Sequence, residues 1–184
     1  MAIVFERLQE LLRAEGLAFF IDPVRARIML GGVGLHGTYH VGIALESEGQ
    51  FLQLRSLQLL RCTPDHPHYH AVMEVLARIN CQYRFIKFAL DPSDGEIVLF
   101  GDLWVADNTV TPAQFHTIIG NYLSALDVHS FRIRQTLETG EDPGTIRPEA
   151  LLEGLGDALP PELRDLLDKL KKGGKSPGGE ITEL

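Results

Sequence analysis

Cysteine and long apolar runs are scarce in this chain of 184 residues. Cys62 and Cys81 are too few for a disulfide framework and too far apart for a CxxC site. We therefore expect two reduced thiols, as in a protein that folds in the cytoplasm. No apolar run approaches the roughly 20 residues that cross a bilayer, and residues 1–15 mix charged with apolar side chains, unlike a signal peptide. The expected location is the cytoplasm, away from membranes.

Basic residues are the minority among the charged ones. The chain has 17 Lys and Arg against 25 Asp and Glu, a formal net charge of −8. Such a surface repels phosphate backbones unless basic residues cluster locally. The one dense basic run, between Lys169 and Lys175, lies in a glycine-rich tail. We predict that the protein does not bind nucleic acid.

Sequence patterns of catalysis are also missing. There is no GxSxG nucleophile elbow, and neither cysteine has a histidine beside it in sequence. The carboxylates Asp91, Asp94 and Glu96 share a short turn-like segment, where solvation explains them. We predict that the chain is not an enzyme and has no catalytic residues, no cofactor and no metal.

Two segments support an alternative hypothesis. The glycine-rich stretch Gly31–Gly37 contains a GxGxxG match, but that motif binds dinucleotides where it opens a helix, and here a strand pattern follows. Without a helix we expect no amide cradle, only a flexible connection. His66, His68 and His70 alternate in a second segment, and two of them could hold zinc with a third ligand from elsewhere. The alternative function is thus a small-molecule or metal-binding protein, or an enzyme, that uses both segments.

Apolar periodicity predicts the fold class. Alternation of apolar and polar residues indicates strands, and apolar residues three or four apart indicate helices. A Pro and a Gly between two apolar runs predict a hairpin at 91–95. The predicted class is α+β, an antiparallel sheet with helices packed on it in the order α-β(2)-β-β-α-β-β-α. The helices are expected at 3–15, after Pro67 and from 111 toward 140; the strands at 17–21, 27–30, 38–46, 51–57, 85–90 and 97–105.

The helix that begins near residue 111 carries the strongest local signal. Thr111 can cap it, Pro112 suits the first helical position, and Gln114 completes a capping box. Four apolar residues at helical spacing then predict its buried face: Phe115, Ile119, Tyr122 and Leu126.

Composition changes at Gly140, which divides the chain into an α+β domain at 1–139, a linker with two short amphipathic helices at 140–171, and a disordered tail at 172–184. Each leucine-rich helix is too short to persist alone in water, where about 12–15 residues are already marginal. We therefore expect these helices to dock on their own core, on the dimer mate or on the functional partner, and we favour the chain's own dimer. The candidate partner-binding residues are Leu151, Leu155, Leu163, Leu166, Leu167 and Leu170.

The order of elements over roughly 3–137 resembles a known family. The likeness is carried by several segments in order. The first helix leads into the strand at 17–20, and the strand pair 41–46 and 51–54 turns around Glu48-Gly49. Ile79-Asn80 ends the second helix, and the strand residues 88–90 are followed by the segment 94–97. The chain is similar to the YbjN-like proteins, labelled bacterial sensory transduction regulators, which share the fold of type III secretion chaperones. The resemblance implies an α+β fold, a homodimer and binding of a protein segment. The main functional hypothesis is a non-enzymatic, dimeric, chaperone-like or regulatory adaptor for another protein chain.

Overall fold

The predicted strands form an antiparallel sheet, and the predicted helices accompany it. The computed structural model describes residues 5–105 and 109–144, and the chain up to Gly144 is one compact unit. Within those residues the helices are α1 (Phe5–Ala14), α2 (Tyr69–Asn80) and α3 (Pro112–Thr139). The strands are β1 (Phe19–Asp22), β2 (Arg27–Val33), β3 (Thr38–Glu46), β4 (Phe51–Leu57), β5 (Leu60–Arg61), β6 (Ile86–Leu90) and β7 (Glu96–Trp104). The α+β prediction is confirmed.

Strand pairing in the sheet is antiparallel throughout the described residues. The strands β1 to β4 follow one another in sequence order, and β4 then pairs with β7. Ile97 of β7 pairs with Leu60 of β5 and also with Leu90 of β6, so these two strands lie on opposite sides of β7. The sheet therefore ends in β1 at one edge and β6 at the other.

The core lies between the helices and one face of the sheet. The alternation in β4 turns Leu52 and Leu54 into this core, as predicted. The predicted buried face of α3 is confirmed as well, because Phe115, Ile119, Tyr122 and Leu126 are all buried. Apolar burial of this kind stabilises a fold by about 25 cal/mol per Å². Other core residues include Leu8 and Leu12 of α1, Val72 and Ile79 of α2, and Ile28, Ile43, Ile97 and Leu99 of the sheet.

The structure differs from the predicted order in three places. A seventh strand, β5, is only two residues long, too short for alternation to reveal it. β2 continues through Gly31 and Gly32 to Val33, because their backbones pair with β3 whatever their side chains. α2 begins at Tyr69 and not directly after Pro67, since the residues between form a turn.

The start of α3 has the predicted capping box, and a glycine caps its other end. The Gln114 N–H donates to Thr111 Oγ1 at 3.2 Å, and the Thr111 N–H donates to Gln114 Oε1 at 3.0 Å. Gly140 follows the helix in the left-handed region, at φ 79°. The leucine-rich helices and the tail predicted beyond 140 lie almost wholly outside the described residues. No helix of the described part has the length and hydropathy that a membrane span needs.

Candidate functional site

A groove opens between the start of α3 and the end of β7. Its lining comes from three stretches of chain, 82–86, 101–105 and 109–122, and it encloses about 920 Å³. Pockets that bind small molecules and peptide side chains are typically about 300–1,000 Å³. We call this site the α3–β7 groove. It is several times larger than a second cavity, of about 200 Å³, that lies between β2 and α3.

Two aromatic residues in the lining of the groove are unusually exposed. Phe85 is 63% exposed and Trp104 is 65% exposed. The Trp104 ring packs edge-on against Phe51, with 6.3 Å between the ring centroids. Large aromatic side chains lose much water-exposed apolar surface when a partner covers them. Exposed aromatics beside a concavity are therefore typical of a binding surface.

The inner part of the groove is built by Tyr122. Its ring lies against Gly101, where an added Cβ would come within 2.8 Å of Tyr122 Cδ2. A glycine at this position of β7 therefore lets the ring pack against the strand. The Tyr122 hydroxyl donates to the Leu99 carbonyl at 2.8 Å. Burial raises the pKa of Tyr122 far above its ordinary value, so this hydroxyl stays protonated.

Tyr83 forms one wall of the groove and is held from behind by α3. Its hydroxyl lies 2.9 Å from His129 Nε2. Burial, with the charge of Arg132, lowers the pKa of His129 to about 4. The imidazole is therefore neutral at physiological pH and can hydrogen-bond the hydroxyl. This part-buried contact ties Tyr83 to α3.

Among the described residues, the backbone of Trp104 is an unpaired strand edge in the lining of the groove. The Val105 N–H donates to the Gln50 carbonyl at 2.9 Å, so these residues are a hydrogen-bonded pair. Such pairs alternate along antiparallel strands, which turns the N–H and C=O of Trp104 away from β4. The last backbone bond on the other side of β7 joins Asp102 N–H to the Phe85 carbonyl at 3.2 Å. Neither backbone group of Trp104 meets a partner within residues 5–105 and 109–144.

The free edge of β6 has one residue, Phe88, whose backbone N–H and C=O would be unpaired without a side chain that bonds them. The Asn80 carboxamide donates to the Phe88 carbonyl at 2.9 Å and accepts from the Phe88 N–H at 2.8 Å. A side chain thus replaces a neighbouring strand there, a way in which proteins block unwanted pairing. Ile79-Asn80 was part of the family resemblance, and the structure supplies a physical role for Asn80. Trp104, in contrast, has no such side-chain partner for its backbone among the described residues.

Charge is almost balanced in the lining of the groove. Arg84 and Asp102 are its charged members, of opposite sign. Asp102 also accepts a weak hydrogen bond from Gln53 at 3.4 Å. The other polar members are amides and hydroxyls, from Gln82, Thr109, Thr111, Gln114, Thr117 and Asn121. The lining fits an uncharged, mainly apolar occupant better than a phosphate or a metal ion.

The glycine-rich segment corrects one of our expectations. We expected no amide cradle there, yet the backbone N–H groups of Leu35 and His36 both donate to the Asp127 carboxylate, each at 2.9 Å. Burial alone would raise the pKa of Asp127, but these hydrogen bonds and that of Tyr39 outweigh it and hold the pKa below its usual value. The loop amides are thus already used by a side chain of the same chain.

The histidine segment precedes α2 and makes local contacts. The His68 N–H donates to His66 Nδ1 at 3.2 Å, and the ring of His70 meets Tyr69 edge-on. The ring of His68 lies against Gly140, after the end of α3. In the described part of the chain, no three His, Cys, Asp or Glu side chains are grouped as metal ligands would be.

The structure describes the groove but not the leucines that the sequence analysis proposed as partner contacts. Leu151, Leu155, Leu163, Leu166, Leu167 and Leu170 lie outside the described residues. The groove itself was missed by sequence reasoning, which treated Phe85 and Trp104 only as parts of strands. A signal was available: Phe85 and Trp104 are large aromatics at the outer ends of β-prone runs, where polar residues are common.

Comparisons with known proteins address the fold and the family. The profile of the family YbjN, described as "Putative bacterial sensory transduction regulator", matches residues 5–133. The solved structure titled "Crystal structure of YbjN, a putative transcription regulator from E. coli" is similar, with a TM-score of 0.51 and 19% sequence identity. The similarity covers 68% of this chain and 89% of that chain. No curated protein matches the sequence. With 129 consecutive residues, well over half of its length, matched by the profile, the chain belongs to the YbjN family.

Proposed function

We propose that this protein is a non-enzymatic regulatory module that binds an extended segment of another protein chain in the α3–β7 groove. The observation that carries the proposal is the backbone edge of Trp104, which has no hydrogen-bond partner within residues 5–105 and 109–144, together with the exposed rings of Phe85 and Trp104. An extended segment can add to such an edge through its main chain. The family description as a regulator supports a role of this class.

The chemistry of the groove defines the segment that it would take. The apolar inner part, with Tyr122 behind Gly101, accepts one large apolar side chain. The nearly balanced charge of the lining disfavours a strongly charged segment, which would lose solvation without gaining a partner. We therefore propose a segment with an aromatic or large aliphatic anchor between uncharged residues. Its affinity would come mainly from the anchor and from main-chain pairing.

The proposal includes a homodimer in the cytoplasm. The family resemblance supports it, and proteins that expose apolar surface commonly associate symmetrically. Light scattering at micromolar concentration is expected to return twice the mass of one chain. A monomer at every accessible concentration would remove the dimer from the proposal and leave segment binding to be tested by itself.

The leucines beyond 144 belong to the same proposal as additional partner contacts: Leu151, Leu155, Leu163, Leu166, Leu167 and Leu170. Amphipathic leucine-rich helices are common recognition elements when an apolar surface is offered to them. Replacing the six leucines with serine is expected to weaken partner capture and leave the unfolding transition of the domain in place. Unchanged capture would confine partner binding to residues 1–144.

Capture with matched variants tests the groove. Wild type, Phe85→Asp and the control Val24→Asp would be immobilised and exposed to extract from the native cell. Val24 is 88% exposed and lies in the turn between β1 and β2, so its variant changes an exposed apolar residue outside the groove lining. Mass spectrometry is expected to find one chain enriched with wild type and the control and lost with Phe85→Asp. Equal capture by all three folded proteins would contradict binding in the groove.

A further inference from the structure

The glycine-rich segment has a role separate from partner binding in the groove. Gly34 turns the chain between β2 and β3, and its N–H donates to the Gly37 carbonyl at 2.8 Å. The next two N–H groups, of Leu35 and His36, converge on the carboxylate of Asp127 in α3. Adjacent backbone amides of a turn that point to one place form an anion-binding concavity. Here the anion is a residue of the protein itself, 91 positions beyond His36.

Side chains complete the binding of that carboxylate. The Tyr39 hydroxyl donates to Asp127 Oδ1 at 2.9 Å, and His36 Nδ1 lies 3.6 Å from the same oxygen. Arg134 donates to the His36 carbonyl at 3.3 Å and so ties the turn to α3 a second time. The donors to Asp127 come from the hairpin, whereas Arg134 donates from the helix to the hairpin. Each contact therefore holds the tip of the β2–β3 hairpin against α3.

The space around the two glycines Gly32 and Gly34 shows which of them must lack a side chain. A Cβ added at Gly34 would lie 2.7 Å from Asp127 Cγ and 2.9 Å from Tyr39 Cε2. Gly34 has no positive φ, so a side chain is excluded there by the carboxylate and the ring and not by backbone strain. Gly32, two residues earlier, has open space where its Cβ would be. Of these two glycines, only the one that faces Asp127 is sterically required.

We propose that the glycine-rich turn is a carboxylate cradle with Asp127 as its built-in ligand, a latch that fastens the β2–β3 hairpin to α3. The GxGxxG letters thus describe an anion site, but one closed to external nucleotides because the protein fills it. Hydrogen bonds to a charged acceptor are stronger than neutral ones, which gives the latch its strength. The latch proposal goes beyond the proposed segment binding and does not depend on it.

Amide hydrogen exchange on the wild-type protein tests the latch without any substitution. The Leu35 side chain is 83% exposed, so burial of that residue does not explain slow exchange of its amide. The latch predicts that the amides of Leu35 and His36 exchange at least roughly tenfold more slowly than in an unstructured peptide. Exchange of both at the peptide rate would overturn the proposal.

A double-mutant cycle tests the fit of Gly34 to the carboxylate. Gly34→Ala is expected to raise the unfolding equilibrium constant in the wild-type background and to raise it several-fold less in the Asp127→Ala background. Gly32→Ala is the matched control and should change stability little in either background. Full additivity of Gly34→Ala and Asp127→Ala would contradict the cradle.

Chemical rescue then identifies the ligand class. Asp127→Ala leaves the two amides without their acceptor, and formate has the missing carboxylate group. Roughly 0.2 M sodium formate is expected to raise the Tm of Asp127→Ala above its value in sodium chloride of equal concentration, by the linkage of binding to folding. The wild type should show no such difference, since its cradle is occupied. Equal Tm values of the variant in the two salts would overturn the carboxylate assignment.

Discussion

Phe115→Ala tests whether α3 anchors the core as described. Phe115 is 0% exposed and lies one turn into the helix, directly after the capping box. Truncation of a buried phenylalanine removes its transfer free energy and leaves a cavity, at a cost of about 3–5 kcal/mol. Small domains have only about 5–15 kcal/mol in total, so the variant should be severely destabilised yet measurable. With about 2–4 °C lost per kcal/mol in a chain of this size, the Tm should fall by roughly 6–20 °C.

The assay is thermal and urea unfolding followed by circular dichroism, with His116→Ala as control. His116 is the next residue of the same helix, and its exposed ring pairs with Glu15 at 2.8 Å. An exposed side-chain contact of this kind contributes at most about 1 kcal/mol, so the control should lose only a few degrees. Equal midpoints for Phe115→Ala and His116→Ala would refute the packing of α3 on the sheet.

Three further predictions concern other parts of the domain. The hydrogen bonds from Arg132 lower the pKa of Asp142 to about 2, so the stabilisation by this carboxylate is present above the unfolded pKa near 3.8 and is lost as pH falls toward 2. The difference in urea midpoint between the wild type and Asp142→Asn should therefore shrink as pH falls from 3.8 toward 2. A difference that stays constant with pH would contradict this prediction. Asn80→Ala removes both bonds to Phe88 and should cost about 1–3 kcal/mol in urea unfolding; no change would mean that this edge of β6 needs no closure. Deleting residues 145–184 should leave a folded domain that binds more of a hydrophobic dye, whereas unchanged dye binding and solubility would show that the leucine-rich segment covers nothing.

The elements that sequence predicts well are those with local chemistry. The capping box at Thr111 needs only residues three positions apart, and the structure has both of its hydrogen bonds. The turn at Gly95 is also local, since a glycine is needed for its φ of 75°. In each case the residues that make the contact are neighbours in the chain, so the sequence alone predicts the local structure.

The groove and the latch could not be read from the sequence for the opposite reason. The groove joins stretches near 84, 103 and 115, and the latch joins a turn at 34–36 to Asp127. Such contacts depend on strand order in the sheet, and the pairing of β4 with β7 across the intervening α2 has no local signature. The likeness to type III secretion chaperones was implied by the family resemblance and stays a prediction.

The most direct test of segment binding uses the fluorescence of Trp104, the one tryptophan of the chain and a residue of the groove lining. A tryptophan-free peptide from the captured partner would be titrated into the wild type, Phe85→Asp and Val24→Asp. Because the ring is largely in water before binding, a segment in the groove should shift its emission to shorter wavelength, saturably and equally in the wild type and Val24→Asp. The affinity of Phe85→Asp should be at least roughly tenfold weaker, as expected for loss of an aromatic contact at an interface. Binding seen by calorimetry with unchanged Trp104 emission, or with equal affinity for all three proteins, would contradict the groove as the binding site.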